Sequence, residues 1–184
     1  METLTSGEVA KFCNVNLRTV IRWIEKDHLK SFKLPGRGNN RILLADFINF
    51  MHEYHIPLPE KFSHYSRRIL IVDDEKPMAA SIQRILQRGG YETELAYDGF
   101  QAGEMSHSFL PALMTLDLQM PGMDGLKVIE YVRDRPHLAR LKILVVSALP
   151  ENKLQQALSA GADDVLSKPF KPETLLEKVI LQLK

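Results

Sequence analysis

Five side chains suited to metal and phosphoryl chemistry stand at the ends of apolar runs in this 184-residue chain. Asp73 and Asp74 follow Ile69-Leu70-Ile71-Val72, and Asp117 closes the run that enters Leu116-Asp117-Leu118-Gln119-Met120-Pro121-Gly122-Met123-Asp124-Gly125. Ser147 ends Ile143-Leu144-Val145-Val146, and Val165-Leu166-Ser167 ends on Lys168-Pro169. In an open parallel sheet such strand ends converge on one crevice, where these folds place their chemistry. Three carboxylates, a hydroxyl and an ammonium are therefore expected at one point. Clustered carboxylates repel one another unless a cation is present, and Mg²⁺, an oxygen-seeking ion that retains several waters, resolves the conflict. One carboxylate can then attack phosphorus while metal, ammonium and hydroxyl take up charge on the phosphoryl oxygens.

Each residue alone has a plainer reading. Asp73-Asp74 suits a helix N-cap, Asp117 an Asx-turn, Lys168 a solvated surface and Ser147 a strand-end cap. Their joint occurrence in order, each separated by a helix-length segment, is what favours the chemical reading over any single short motif.

The elements that must position them alternate from about residue 67 onward. Strands are expected near 68–73, 92–97, 113–117, 142–147 and 164–167, and helices near 76–88, 99–109, 124–133, 150–160 and 171–183. Such alternation implies right-handed crossovers and a parallel sheet covered on both faces. The uniformly apolar first, third and fourth strands fit burial on both sides.

Residues 67–184 resemble the receiver domain of a two-component response regulator, on the strength of Asp73-Asp74, the Asp117 run, Ser147-Ala148, and Gly161-Ala162-Asp163-Asp164 leading to Lys168-Pro169-Phe170. The resemblance implies a doubly wound, flavodoxin-like α/β fold with five parallel strands in the order 2-1-3-4-5. It implies that Asp117 accepts the phosphoryl group from a histidine kinase or phosphotransfer protein. Asp74, Asp117 and the backbone carbonyl of Gln119 would hold Mg²⁺, with Asp73 acting through water. Ser147 and Lys168 would bind the phosphoryl group, and Lys168-Pro169 would be cis. The family commonly carries an aromatic residue three positions before the lysine. Here that position is Val165, too short and stiff to swing as a ring does. A phosphorylation-favoured dimer through helix 150–160, strand 164–167 and helix 171–183 remains an expectation. An aspartyl-phosphatase of the DxDxT type is disfavoured, because Asp73-Asp74-Glu75 is not that pattern.

The amino-terminal third carries a different signal. From Lys11 to Arg41 eight bases (Lys11, Arg18, Arg22, Lys26, Lys30, Lys33, Arg37, Arg41) face two acids (Glu25, Asp27), a local balance of +6 in a chain of net charge +1. That asymmetry is the footprint of a nucleic-acid module beside a near-neutral one. Thr5-Ser6-Gly7-Glu8 reads as a capping box, followed by Val9, Ala10, Phe12 and Cys13 as the buried side of a first helix. Asn16 caps a second helix, about Leu17 to Lys26, whose stripe is Val20, Ile21 and Ile24, while Arg18, Arg22 and Lys26 lie on the opposite face. Strands near Leu29–Leu34 and Arg41–Leu44 flank the turn Pro35-Gly36-Arg37-Gly38-Asn39-Asn40, and a third helix, about Ala45 to Tyr54, buries Phe47, Ile48, Met51 and Tyr54. This pattern resembles an excisionase or MerR-like winged helix-turn-helix DNA-binding module. It implies DNA contacts from Arg18, Thr19, Arg22, Lys26, Arg37, Asn39, Asn40 and Arg41, with Trp23 kept for packing. The rival reading makes this part a protein-interaction or architectural element on a phosphorelay carrier.

Three segments are thus expected: a DNA-binding domain over 1–55, a linker over 56–66 stiffened by Pro57 and Pro59 and apolar enough at Phe62 and Tyr65 to pack on a domain, and a receiver over 67–184. Cys13 is the sole cysteine, which argues against a disulfide framework or thiolate metal cluster. His52, His55 and His64 do not match zinc spacings. With no 18-residue apolar run and no signal-peptide pattern at its start, the chain is expected in the cytoplasm.

Overall fold

A reciprocal capping box starts the first helix in the computed structural model, which describes residues 2–34, 39–120, 124–135 and 138–183. Thr5 Oγ1 accepts the Glu8 N–H (3.1 Å), and the Glu8 carboxylate accepts the Thr5 N–H (2.7 Å). The chain divides into two compact units, 1–63 and 64–184.

The first unit runs β1 (Thr3–Thr5), α1 (Ser6–Phe12), α2 (Leu17–Glu25), β2 (Phe32–Lys33), β3 (Asn40–Leu43) and α3 (Leu44–Glu53). β3 is central in an antiparallel sheet of order β1-β3-β2. Strand β1 was not expected: three residues are too few to show alternation, yet Leu4 is buried and pairs with Ile42. The strand expected from Leu29 contracts to Phe32–Lys33. Leu29 instead belongs to the turn leaving α2, where the His28 and Leu29 N–H groups both donate to the Trp23 carbonyl and Asp27 takes φ 56°. Pro35 to Gly38, including Arg37, lie outside the described residues.

Val9, Ala10, Val20, Leu29, Ile42, Phe47, Phe50 and Met51 form the small core. Phe12 and Cys13 are only half-buried; Phe12 packs its ring on Phe47, and Cys13 Sγ sits 3.6 Å from Met51 Sδ. Tyr54 corrects the expectation of burial. It falls just past the end of α3, leans on Phe50 (ring centroids 4.9 Å) and is exposed, its hydroxyl 2.7 Å from His28 Nδ1. Trp23 packs on Phe50, also at 4.9 Å. The chain then passes through a 3₁₀ helix, Glu60–Arg67. Phe62 is buried edge-on against Phe12 and Phe47.

The second unit runs β4 (Arg68–Val72), α4 (Lys76–Arg88), β5 (Glu92–Ala96), α5 (Gly99–Ser108), β6 (Leu113–Leu116), α6 (Gly125–Arg133), β7 (Lys142–Ser147), α7 (Glu151–Ser159), β8 (Asp164–Ser167) and α8 (Pro172–Gln182). The sheet is parallel with order β5-β4-β6-β7-β8, which is the expected 2-1-3-4-5. Alternation sends Leu70, Val72, Met114, Leu116, Ile143 and Val145 to one face, against residues of α5, α6 and α7. Ile69, Ile71, Leu113, Leu144 and Val146 go to the other, against residues of α4 and α8. Each such side chain contributes about 1.5–3 kcal/mol by leaving water. Outer strand β5 differs, with Glu92 and Glu94 exposed. Among the described residues no helix is long and apolar enough to cross a membrane.

Thr5→Ala should lower the stability of the first unit by about 1 kcal/mol, read by chemical denaturation through the fluorescence of Trp23. The hydrogen bonds from the Thr5 backbone N–H and then its hydroxyl hold the Glu8 carboxyl below its ordinary 4.5. A lowered folded-state pKa gives stability that is complete above the ordinary value and lost as pH falls through the lowered one. The substitution removes only the hydroxyl share of that effect, so its penalty should shrink in part in that acid window while the part due to the Glu8 N–H bond persists. A penalty that grows on acidification would contradict the hydroxyl–carboxylate bond.

Candidate functional site

The strand ends bring the expected residues together. Asp73 follows β4 and anchors its N–H on the Ala96 carbonyl (3.1 Å); Asp117 follows β6 and anchors its N–H on the Val72 carbonyl (2.9 Å). These backbone bonds continue the ladder by one residue and fix both carboxylates at the carboxyl edge of the sheet. Asp73 and Asp117 are buried and Asp74 is half-buried. One oxygen from each of the three lies within 4.8 Å of the others.

Donors surround this cluster. Lys168 Nζ donates to Asp73 Oδ2 (2.8 Å) and Asp117 Oδ2 (2.6 Å). Ser147 Oγ, fully buried at the end of β7, donates to Asp117 Oδ1 (2.7 Å), which also accepts the Gln119 N–H (3.0 Å). Asp73 Oδ1 accepts the Glu75 N–H (2.9 Å). Lys168 donates its own N–H to the Ser147 carbonyl (2.9 Å), and the Lys168-Pro169 bond is cis.

The electrostatics follow from this arrangement. Burial raises the Asp73 carboxyl above its ordinary value, against the opposing pull of the Lys168 hydrogen bond and charge and the Glu75 N–H. Burial works against the charged Lys168 ammonium, but the hydrogen bonds and charges of Asp117 and Asp73 outweigh it, so Lys168 is held above its ordinary value. Three hard oxygen donors this close suit a small divalent cation, and the donor set fits Mg²⁺.

A glycine shapes the loop beyond Asp117. Asp124 caps α6 by accepting the Leu126 N–H (3.0 Å), and Gly125 follows it. A Cβ on Gly125 would stand 2.7 Å from Leu118 Cα and 2.8 Å from the Asp117 carbonyl oxygen. The helix can approach the acid-bearing strand only because that side chain is absent. The sequence displayed this residue in its Asp-Gly pair, but its steric role became visible only with the packing.

The amino-terminal surface is assembled differently. Asn16 caps α2 by accepting the Thr19 N–H (2.9 Å), and the Thr19 hydroxyl also donates to it (3.1 Å), so Thr19 is half-buried with its hydroxyl engaged. Arg18, Arg22 and Lys26 are exposed, Lys26 just beyond the end of α2. Asn39 is exposed, while Asn40 and Arg41 are half-buried on β3.

The response regulator receiver domain matches residues 69–180, and a helix-turn-helix domain matches residues 3–54. The chain belongs to the response regulator receiver family. Response regulator MprA of Mycobacterium ulcerans is 44% identical over 115 residues, covering 62% of this chain and 49% of that protein. The Mycobacterium tuberculosis protein of the same name is 43% identical with the same coverage. The chain thus spans about half the length of the curated relatives it matches. Among solved structures, the receiver domain of a response regulator from Bermanella marisrubri is 48% identical, covers 64% of this chain and 98% of its own, and superposes with a TM-score of 0.61. A receiver domain from Colwellia psychrerythraea, described as part of a DNA binding response regulator protein (merR), is 32% identical over 63% of this chain and 96% of its own, TM-score 0.58.

Alanine for glycine in a helix ordinarily gains about 0.5–1 kcal/mol. Gly125→Ala should reverse that sign and cost about 1–3 kcal/mol through overpacking. Urea denaturation of the variant checks it, and a gain in stability would show that the loop yields freely.

Proposed function

We propose that this protein is a phosphorylation-controlled DNA-binding regulator in which Asp117 accepts a phosphoryl group from a histidine kinase or phosphotransfer protein. The observation that carries the proposal is the convergence of Ser147, Lys168 and the Gln119 N–H on the Asp117 carboxylate. An Asp117 oxygen attacks phosphorus, the bond from phosphorus to the donor's leaving group breaks, and an acyl phosphate forms. Lys168, now shared between Asp73 and Asp117, passes to a phosphoryl oxygen, and the Ser147 hydroxyl follows by turning from the carboxylate to the same group. Asp73, Asp74, Asp117 and the Gln119 carbonyl would hold Mg²⁺, which supplies charge neutralisation at the phosphoryl oxygens when bound. The chain acts as a regulator rather than as an enzyme turning over a separate substrate.

Incubation with acetyl phosphate and Mg²⁺ should add one phosphoryl group, mapped to Asp117 by mass spectrometry. Asp117→Ala should accept none there, and EDTA should abolish the reaction in the wild type. Phosphate found on Asp73 or Asp124 of the wild type refutes the assignment.

DNA binding is supported by the helix-turn-helix match, the exposed Arg18, Arg22 and Lys26, and the description of the Colwellia relative. Arg41 on β3 and, from the sequence pattern alone, Arg37 are assigned to phosphate contact. Val165 packs half-buried against the core beside α7, so any remodelling of the α7, β8 and α8 surface must come from Ser147 and Lys168 rather than from a ring. We assign phosphorylation-favoured pairing of two copies to that surface, which places two DNA modules on two half-sites.

Affinity for a selected DNA site should fall with salt in proportion to the phosphate contacts made, and Arg22→Ala should weaken specific binding by about 1–3 kcal/mol. Sedimentation with a beryllofluoride mimic should show a shift to dimer. Absence of DNA affinity even at low salt would favour the phosphorelay carrier with an interaction module.

A further inference from the structure

Among the described residues, Thr115 Oγ1 is the buried side-chain polar atom that lacks a hydrogen-bond partner, and Thr115 is 1% exposed. It stands two residues before Asp117 in β6, so the two side chains leave the same face of the sheet. Its cross-strand neighbours, Ile71 of β4 and Leu144 of β7, offer no polar group from their side chains. The next same-face position on β4 is Asp73. An unpaired buried hydroxyl is destabilising, and valine would fill the same shape without the penalty.

The missing partner has a counterpart above it. An ammonium carries three N–H donors. Lys168 gives two to Asp73 Oδ2 and Asp117 Oδ2, and its side chain is 8% exposed. The third has no acceptor among the described residues. Thr115 and Asp117 stand about 7 Å apart along β6, and Lys168 Nζ is bonded to the Asp117 carboxylate at 2.6 Å. The unpaired hydroxyl and the spare N–H therefore flank the same carboxylate, and one water can bridge polar groups that do not meet directly.

We propose that Thr115 is a positioning residue: its hydroxyl and the third Lys168 N–H share one internal water beneath the carboxylates. The water holds the ammonium at the level from which it passes to the phosphoryl group. The hydroxyl thereby gains the partner it lacks, and Lys168 is fixed from below as well as from both acids. The kinetic consequence rests on the phosphoryl-acceptor reading of Asp117; the water does not.

The test uses the full chain as wild type, Thr115→Val and Thr115→Ser. A high-resolution crystal structure of the unphosphorylated wild type should show a water within hydrogen-bond distance of Thr115 Oγ1 and Lys168 Nζ, absent in Thr115→Val. With acetyl phosphate and Mg²⁺, Thr115→Val should be phosphorylated about tenfold more slowly, as loss of one hydrogen bond to a charged group implies, and Thr115→Ser should recover most of the wild-type rate. A dry slot under Lys168, an unchanged rate in Thr115→Val, or a serine variant as slow as the valine one overturns the proposal. If the wild type takes no phosphoryl group, the acceptor reading falls instead, and the crystallographic water alone decides the role of Thr115.

Discussion

One ammonium sets the terms for the second unit: Lys168 lies between two buried carboxylates that would otherwise face each other. Removing one partner of a buried ion pair costs about 3–5 kcal/mol, because the charge left behind has no solvent to stabilise it. Here a single cation serves two anions, Asp73 at 2.8 Å and Asp117 at 2.6 Å, and much of the architecture follows from the need to keep the three together. β4 and β6 must end at the same level, with β7 and β8 running two residues further, which requires parallel strands in fixed register. Fixed register in turn depends on apolar side chains filling both faces, since a slip of one residue would exchange the faces of every side chain.

The same arrangement explains why the site was legible in the sequence. A polar side chain at the end of a mainly apolar run has few places to go except the sheet edge, and Asp73, Asp117, Ser147 and Lys168 each stand at or just past the end of such a run. Thr115 was not legible, because a threonine within a strand is unremarkable until its hydroxyl is seen to lack a partner. Gly125 was equally opaque. Its requirement comes from the Asp117 carbonyl and Leu118, eight and seven residues away in sequence, and spacing carries no record of that approach.

In the first unit the limits were of another kind. The charge asymmetry could be read directly because it is a matter of composition, and the capping residues Thr5 and Asn16 because they act over three positions. Strand β1 could not, since a three-residue strand owes its existence to the partner β3. Tyr54 continued the helical apolar pattern and still ended exposed, because α3 stops at Glu53 and the ring finds Phe50 and His28 beside it. Phe62 packs on a domain as its apolar character suggested, but the partners Phe12 and Phe47 could be known only from the fold.

The outer strand β5 has a consequence for the behaviour of concentrated protein. An uncovered sheet edge offers backbone groups to any passing strand, and proteins guard against it with charge. Glu92 and Glu94 stand exposed on alternate residues of β5, and Arg68 holds Glu92 at 3.0 Å. A second copy approaching edge to edge in antiparallel fashion would bring these acids against their own counterparts, where like charges repel. The margin therefore resists growth into ribbons of added strands, and colloidal stability at this border is written into two glutamates that take no part in the chemistry.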